Sequence, residues 1–363
     1  MYVCILLFPV RCSSHGAEQR TPPAPHCGTH HPHRVVLIPM GQDTGRKRYN
    51  KCPYVTECGI FSSCLVSWRG SRSTQKTSPL ILFGRSYLIK QLLRNTCDRE
   101  EFAEGKRSLE DMSDKQLENL IVDDKHGIIY CYIPKVACTN WKKVFLVLKQ
   151  GQPYQDPMSI PSENVHHKIN FALLNGFPRP EIKAKLKHYT KFLYVRDPFV
   201  RLISAYRDKF QKENEYFYHL YGRDILRTYA NQADPPETAH EAFASGIHVS
   251  FYNFIQYLLD PQTVSPFEPH WRQMDSLCHP CIIQYDFIGH QETLQEDAEQ
   301  LLKMLMLEDH IRFPPSYENV TSRDSVSDWM GTVPLDERRK LYKLYEEDFR
   351  LFGYRKPSEL LDG

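Results

Sequence analysis

Two segments constrain the fold of this chain more than any other feature in it. In each, a short apolar run rich in aromatic and β-branched residues passes through a polar loop into a stretch with helical periodicity. The first runs from Gly127 to Ile133, through Pro134–Asn140, into Trp141–Lys149, where Trp141, Val144, Phe145 and Leu148 recur at helical spacing. The second runs from Lys191 to Val195, through Arg196-Asp197-Pro198, into a helix from Phe199 to Phe210. Repeated strand–loop–helix units build parallel sheets covered by helices, so the expected fold class is α/β, with a mainly parallel central sheet flanked by helices.

Both loops suit an anion, by different chemistry. The first leads into a helix N-terminus, where unpaired backbone N–H groups and the positive dipole end face out. Lys135 adds a full charge and Thr139 a hydroxyl. The glycine-rich phosphate loop that ends in Gly-Lys-Ser/Thr is absent. In the second unit Arg196 stands at the C-terminal end of the strand, where ligands bind in open α/β sheets. Arg201 follows five residues later and Ser204 eight. A guanidinium fork and a serine hydroxyl can together hold one phosphate. Taken singly, the first unit also reads as a plain turn with a solvated lysine, and the second as a structural Arg196–Asp197 bridge. Taken together they describe two anion seats on one sheet, fit for a ligand with two separated phosphate-like groups.

Charge divides the chain. Lys and Arg number 46 against 44 Asp and Glu overall, but residues 1–100 carry 14 basic and 5 acidic side chains and the rest 32 and 39. A nucleic-acid binder places its positive excess on the folded domain, and here that part is acidic. No apolar run reaches the ~18 residues of a membrane-spanning helix. Met1–Val10 has the length of a signal-peptide core without the preceding charged residues. Residues 1–100 hold seven of the eleven cysteines and eight prolines without lasting periodicity, and read as a poorly structured leader or stem. The Cys and His cluster around Cys27 fits no closed tetrahedral metal site. From residue 101 the pattern becomes regular, with Ser113–Glu118 resembling a capped helix start. Residues 101–363 are therefore expected to form a single catalytic domain of roughly 260 residues with one substantial core. The cysteine count and the sequon Asn319-Val320-Thr321 favour an oxidising, secretory compartment. Cys278-His279-Pro280-Cys281 reads as a disulfide region rather than half a zinc site, and Cys131 and Cys138 as small packing groups beside the first loop.

Tyr130–Lys142 resembles the 5′-phosphosulfate loop, and Arg196–Arg207 the 3′-phosphate segment, of the Golgi carbohydrate sulfotransferases. The likeness extends through Pro266–Trp271, Cys278–Cys281, Tyr285–Gly289 and Leu351–Tyr354, and is greatest to the chondroitin 4-O-sulfotransferases. It implies a P-loop-like sulfotransferase fold, with 3′-phosphoadenosine 5′-phosphosulfate as sulfate donor. The acceptor it implies is the 4-hydroxyl of N-acetylgalactosamine in a chondroitin or dermatan glycan, inside the Golgi lumen of a membrane-anchored enzyme. Carried over residue by residue, donor binding falls to Pro134, Lys135, Val136, Ala137, Cys138, Thr139 and Asn140 in the first loop. In the second segment it falls to Arg196, Asp197, Pro198, Phe199, Val200, Arg201, Leu202, Ile203 and Ser204.

Sulfuryl transfer requires two oxygens held roughly in line and an offset for charge growing on the leaving phosphate, a task for Lys135. No metal is called for. A base should take the acceptor proton. Among His126, His166, His167, His188, His270 and His279, the preferred candidate is His166, which lies between the two binding segments, with Glu163 in reserve. The polyanionic acceptor needs local positive charge, and residues 181–210 offer eight Lys and Arg against three acids, including Lys183, Lys185 and Lys187. The competing readings are a nucleotide or small-molecule kinase and a noncatalytic glycosaminoglycan-binding protein.

Overall fold

The computed structural model describes residues 79–98, 108–263, 267–315, 321 and 325–362, all within the unit Arg72–Gly363. The elements used below are strands β1 (Leu120–Asp123), β2 (Ile128–Cys131), β3 (Ala172–Leu173), β4 (Thr190–Val195) and β5 (Phe287–His290). The helices are α1 (Pro79–Cys97), α2 (Cys138–Gln150), α3 (Arg179–His188), α4 (Pro198–Lys209), α5 (Phe251–Leu259), α6 (Leu294–Met304) and α7 (Leu335–Leu351).

The strands form one sheet in the order β3-β1-β2-β4-β5. β2, β4 and β5 run parallel, while β1 pairs antiparallel with both β2 and β3. The sheet is thus mixed, with its parallel half under the site. β1 returns antiparallel because the Asp123–Gly127 connection is a tight turn, too short for a crossover helix. That turn uses Gly127 at φ +62°, a left-handed position that glycine occupies without a Cβ clash. The helix expected to start at Ser113 is a single 3-10 turn, Asp114–Leu117, with the Ser113/Gln116 capping box in place. It stops there because the apolar run Leu120-Ile121-Val122 enters the sheet.

In β2 and β4, Ile128–Cys131 and Lys191–Val195 are all buried, as strands covered on both faces must be. The parallel register sets Cys131, the last residue of β2, beside Leu193, two residues before β4 ends, so the loops that follow the two strands become neighbours. Trp141 on α2 closes the core over this junction, with ring centroids 4.8 Å from Phe192 and from Phe313. The four apolar residues that marked α2 in the sequence are all buried. Gly289 on β5 lies against the Tyr194 ring, which leaves no room for a β-carbon.

Three expectations are corrected. The leader contains α1, a 19-residue helix that packs on β5, α6 and α7; its strong helix formers, among them Leu88, Gln91, Leu92 and Leu93, outweigh its weak amphipathic pattern. The folded unit has two apolar clusters rather than one core: one surrounds the sheet, and the other gathers α4, α5 and α7 around Trp271 and Phe254. Cys131 is not a packing thiol. It closes a disulfide with Cys278, because the end of β2 abuts the short helix Met274–Cys278 at a Cα separation of 5.9 Å. A second disulfide, Cys97–Cys281, ties α1 to the same region, so Cys278-His279-Pro280-Cys281 is the expected disulfide region. Cys27, Met1–Val10 and Asn319 lie outside the described residues.

Removing both partners of the inner bridge, Cys131→Ala with Cys278→Ala, should cost about 2–4 kcal/mol, because the bond closes a loop spanning 147 residues. A thermal melt without reductant should show a fall of roughly 5–10 °C. An unchanged melt would mean that packing alone holds the end of β2.

Candidate active site

The ends of β2 and β4 open into a cleft of about 1050 Å³. The whole first loop lines it, Pro134 through Asn140, as do Arg196, Ser204 and His166. Two non-glycine residues of that loop are left-handed, Lys135 at φ +69° and Ala137 at φ +50°. Such conformations cost of order 1–3 kcal/mol each and persist where the surroundings over-determine them. Here Arg196 Nη1 donates to the Lys135 carbonyl at 3.1 Å, and Arg201 Nε to that of Pro134 at 3.0 Å. The second anion segment therefore clamps the first from beneath.

The two helix N-termini differ in a decisive way. At α4 the Asp197 carboxylate accepts from the N–H groups of Phe199 and Val200 and fills the anion site itself. At α2 the N-cap is Ala137 and no side chain caps the helix, so its first N–H groups face the cleft. The first loop thus offers open backbone N–H groups, and the second segment offers the side chains of Arg196 and Ser204.

Not every expected donor contact faces the cleft. Asp197 is the cap, and Pro198, Phe199, Val200, Leu202 and Ile203 are buried on the apolar face of α4. Arg201 is 2% exposed and donates to the carbonyls of Pro134, Pro269 and Arg272, so it supports the loop from behind. Arg196, 4% exposed, also donates to the Thr321 carbonyl at 2.6 Å and keeps further N–H groups for a ligand. Burial pushes its pKa down to about 10, so it stays cationic at neutral pH.

Helical spacing from Ser204 places Arg207, Asp208 and Gln211 on the cleft face of α4 and beyond, positions that the sequence reading passed over. Asp208 bridges Lys135 at 3.1 Å and Lys209 at 3.1 Å. Burial opposes its charge, but the two ammonium groups hold its carboxyl at about 2. Burial lowers the pKa of Lys135, and Asp208 counteracts this. In all, seven basic side chains and two carboxylates line the cleft of a domain that is acidic overall. The run Lys183, Lys185, Lys187 is not among them: on α3, Lys183 pairs with Glu110, and Lys185 with Asp124 and Glu181.

Two histidines line the cleft. His166 Nε2 lies 3.4 Å from the Thr139 hydroxyl, and burial, reinforced by Lys142 and Lys209, pulls its pKa down to about 4. His270 is held differently. Its Nδ1 contacts both Glu268 oxygens, at 2.8 and 2.9 Å, which orients the ring and leaves Nε2 without a partner among the described residues. His126 and His279 are engaged elsewhere, with Asp123 and Tyr154 and with the Gln116 carbonyl. Glu163 is exposed and outside the cleft. Cys138 is a free thiol at the first residue of α2. No group of three or more metal-ligating side chains occurs among the described residues, and none of their helices is long and apolar enough to cross a membrane.

Comparison with known proteins agrees with this geometry. A sulfotransferase family model matches residues 118–355, which include both loops and the cleft. Carbohydrate sulfotransferase 12 of Mus musculus is 52% identical over 288 residues, covering 75% of this chain and 69% of its own length. Its counterpart from Xenopus laevis is 54% identical over 275 residues, covering 72% and 66%. Carbohydrate sulfotransferase 11 of Rattus norvegicus is 38% identical over 303 residues, covering 80% and 84%. No solved structure matches. The chain spans about two thirds of the length of the first two relatives. The family match over residues 118–355, which contain the basic cleft, and relatives this similar along most of the chain make it a member of the sulfotransferase family and, within it, of the carbohydrate sulfotransferases.

Proposed function

We propose that this enzyme moves a sulfuryl group from 3′-phosphoadenosine 5′-phosphosulfate to the 4-hydroxyl of N-acetylgalactosamine in a chondroitin or dermatan chain, within the Golgi lumen. The observation that carries the donor half is the open N-terminus of α2 beside Lys135, in one cleft with the buried Arg196. When bound, the donor supplies a sulfuryl group on a phosphate leaving group. Lys135 and the first N–H groups of α2 hold its 5′ end, and Arg196 with Ser204 its 3′-phosphate. The acceptor reading rests on the likeness to carbohydrate sulfotransferases and on the basic cleft, which draws in a polyanion.

The acceptor hydroxyl must give up its proton, and His270 is the better placed to take it. Glu268 fixes Nδ1 as the donor atom, so the Nε2 lone pair is the accepting one, and the carboxylate stabilises the imidazolium that forms. Burial lowers the pKa of both rings, but Glu268 counteracts this at His270, whereas His166 has no carboxylate hydrogen-bonded to it among the described residues and falls to about 4. His270→Ala should lower kcat by roughly 100-fold or more, with donor binding retained. Glu268→Gln should lower it less. A larger kcat loss in His166→Ala than in His270→Ala would reverse the assignment.

Thermal shift separates the classes of function. Stabilisation by 3′-phosphoadenosine 5′-phosphate without magnesium supports the transferase. A shift with ATP and magnesium alone would indicate a kinase, and a shift with sulfated glycan alone a binding protein.

A further inference from the structure

Lys142 lines the cleft, is 6% exposed, and has no carboxylate within ion-pair distance among the described residues. A buried ammonium without a counter-ion is costly unless something else stabilises it. Here the face of Tyr132 does so, 3.8 Å from Nζ to the ring centroid, with Phe171 at 5.7 Å. The other six cations of the cleft differ from it: Lys135 and Lys209 share Asp208, Lys168 pairs with Glu118, Arg196 holds two carbonyls, Arg207 donates to the Thr321 hydroxyl, and Lys212 is exposed to solvent. Lys142 is thus a charge kept ready by an aromatic platform, facing a cleft through which an anion arrives.

Its surroundings say which anion. Lys142 sits one turn into α2, and besides Tyr132 and Cys138 the groups near it belong to the segment 162–171: the Phe171 ring, Lys168, whose charge opposes that of Lys142, and His166, on which the charge of Lys142 acts. The 3′ seat, Arg196 and Ser204, lies on the β4–α4 side, and the 5′ seat is the N-terminus of α2 with Lys135. Both donor seats are filled without Lys142. Resting on the acceptor proposed above, we infer that Lys142 is the seat for a carboxylate of the acceptor chain, that of the hexuronate next to the acceptor N-acetylgalactosamine. The sugar ring would lie toward Tyr132 and Phe171, and the carboxylate would supply the counter-ion that the described residues do not.

The test is equilibrium binding of desulfated chondroitin oligosaccharides, native or carboxyl-reduced, to the full chain in the presence of 3′-phosphoadenosine 5′-phosphate. The wild type should bind the native form at least about tenfold more tightly, the usual scale of one desolvated charge pair. Lys142→Met is close in size and removes a buried charge, so it should fold; it should bind the two forms equally. Lys142→Arg should recover part of the preference. Stabilisation by 3′-phosphoadenosine 5′-phosphate should be the same in all three proteins. A preference that survives in Lys142→Met overturns the inference, as does a wild type that binds neither oligosaccharide. Loss of the nucleotide shift in Lys142→Met also overturns it and assigns the residue to the donor. Preferential binding of native oligosaccharide without sulfate transfer leaves this inference standing and removes the proposed reaction.

Discussion

Lys135→Ala should lower kcat by a factor of about 100–1,000 while weakening donor binding far less, the signature of a group whose contribution grows in the transition state. The ammonium stands at the open end of α2, in a loop whose left-handed backbone at Lys135 and Ala137 is held by Arg196 and Arg201. Asp208 keeps the side chain in the cleft, and buried surroundings raise the worth of its charge. If the lysine only anchored the donor, KM would rise and kcat would hold. Lys135→Arg retains charge without the compact point geometry of an ammonium, and should recover binding better than rate. Steady-state kinetics at saturating donor decides the matter: a Lys135→Ala variant with full kcat would place the leaving-group charge on the α2 N–H groups alone.

Arg196→Ala should weaken the binding of 3′-phosphoadenosine 5′-phosphate by about 100-fold, more than the tens-fold that one lost charged hydrogen bond costs. The surplus arises because the same guanidinium holds the carbonyls of Lys135 and Thr321, so removing it should loosen the loop proposed for the 5′ end as well as the proposed 3′ seat. Ser204→Ala, which touches neither carbonyl, should cost about tenfold and leave kcat unaltered. Calorimetry on folded variants, checked by their melts, tests this. Equal losses in the two variants would show that Arg196 serves only the 3′ group.

The site was legible in the sequence where chemistry and periodicity coincide. Trp141, Val144, Phe145 and Leu148 marked α2, and the apolar runs before Pro134 and Arg196 marked two strands whose parallel register brings their loops together. What was not legible depends on tertiary contacts. Arg196 and Arg201 look alike along the chain, yet one faces the cleft and the other is spent on three carbonyls, a difference set by the packing of residues 269–272 against α4. Lys183 and Lys185 looked like acceptor contacts until Glu110 and Asp124, far away in sequence, claimed them. Asp208 and Arg207 could have been found by counting helical turns from Ser204. The bond from Cys131 to Cys278 could not, because sequence gives no pairing between cysteines 147 residues apart.

The pH dependence of stability follows from the same groups. The pKa of His166 falls from its ordinary 6.5 to about 4 on folding, so the unfolded chain binds more protons between those values. This group's contribution is therefore complete above about pH 6.5 and is lost as the pH falls toward 4. Asp208, held at about 2, adds a contribution present above about pH 4 and lost below it. Melts from pH 7 to 4 should decline, with a smaller decline in His166→Gln.

The most direct test of the proposed reaction is disaccharide analysis after incubating the enzyme with radiolabelled 3′-phosphoadenosine 5′-phosphosulfate and a panel of desulfated chondroitin and dermatan chains. The expected result is label in the disaccharide sulfated at the 4-position of N-acetylgalactosamine, without added metal and absent from the Lys135→Ala control. Label at the 6-position, on the uronate, or in no glycan at all would contradict it.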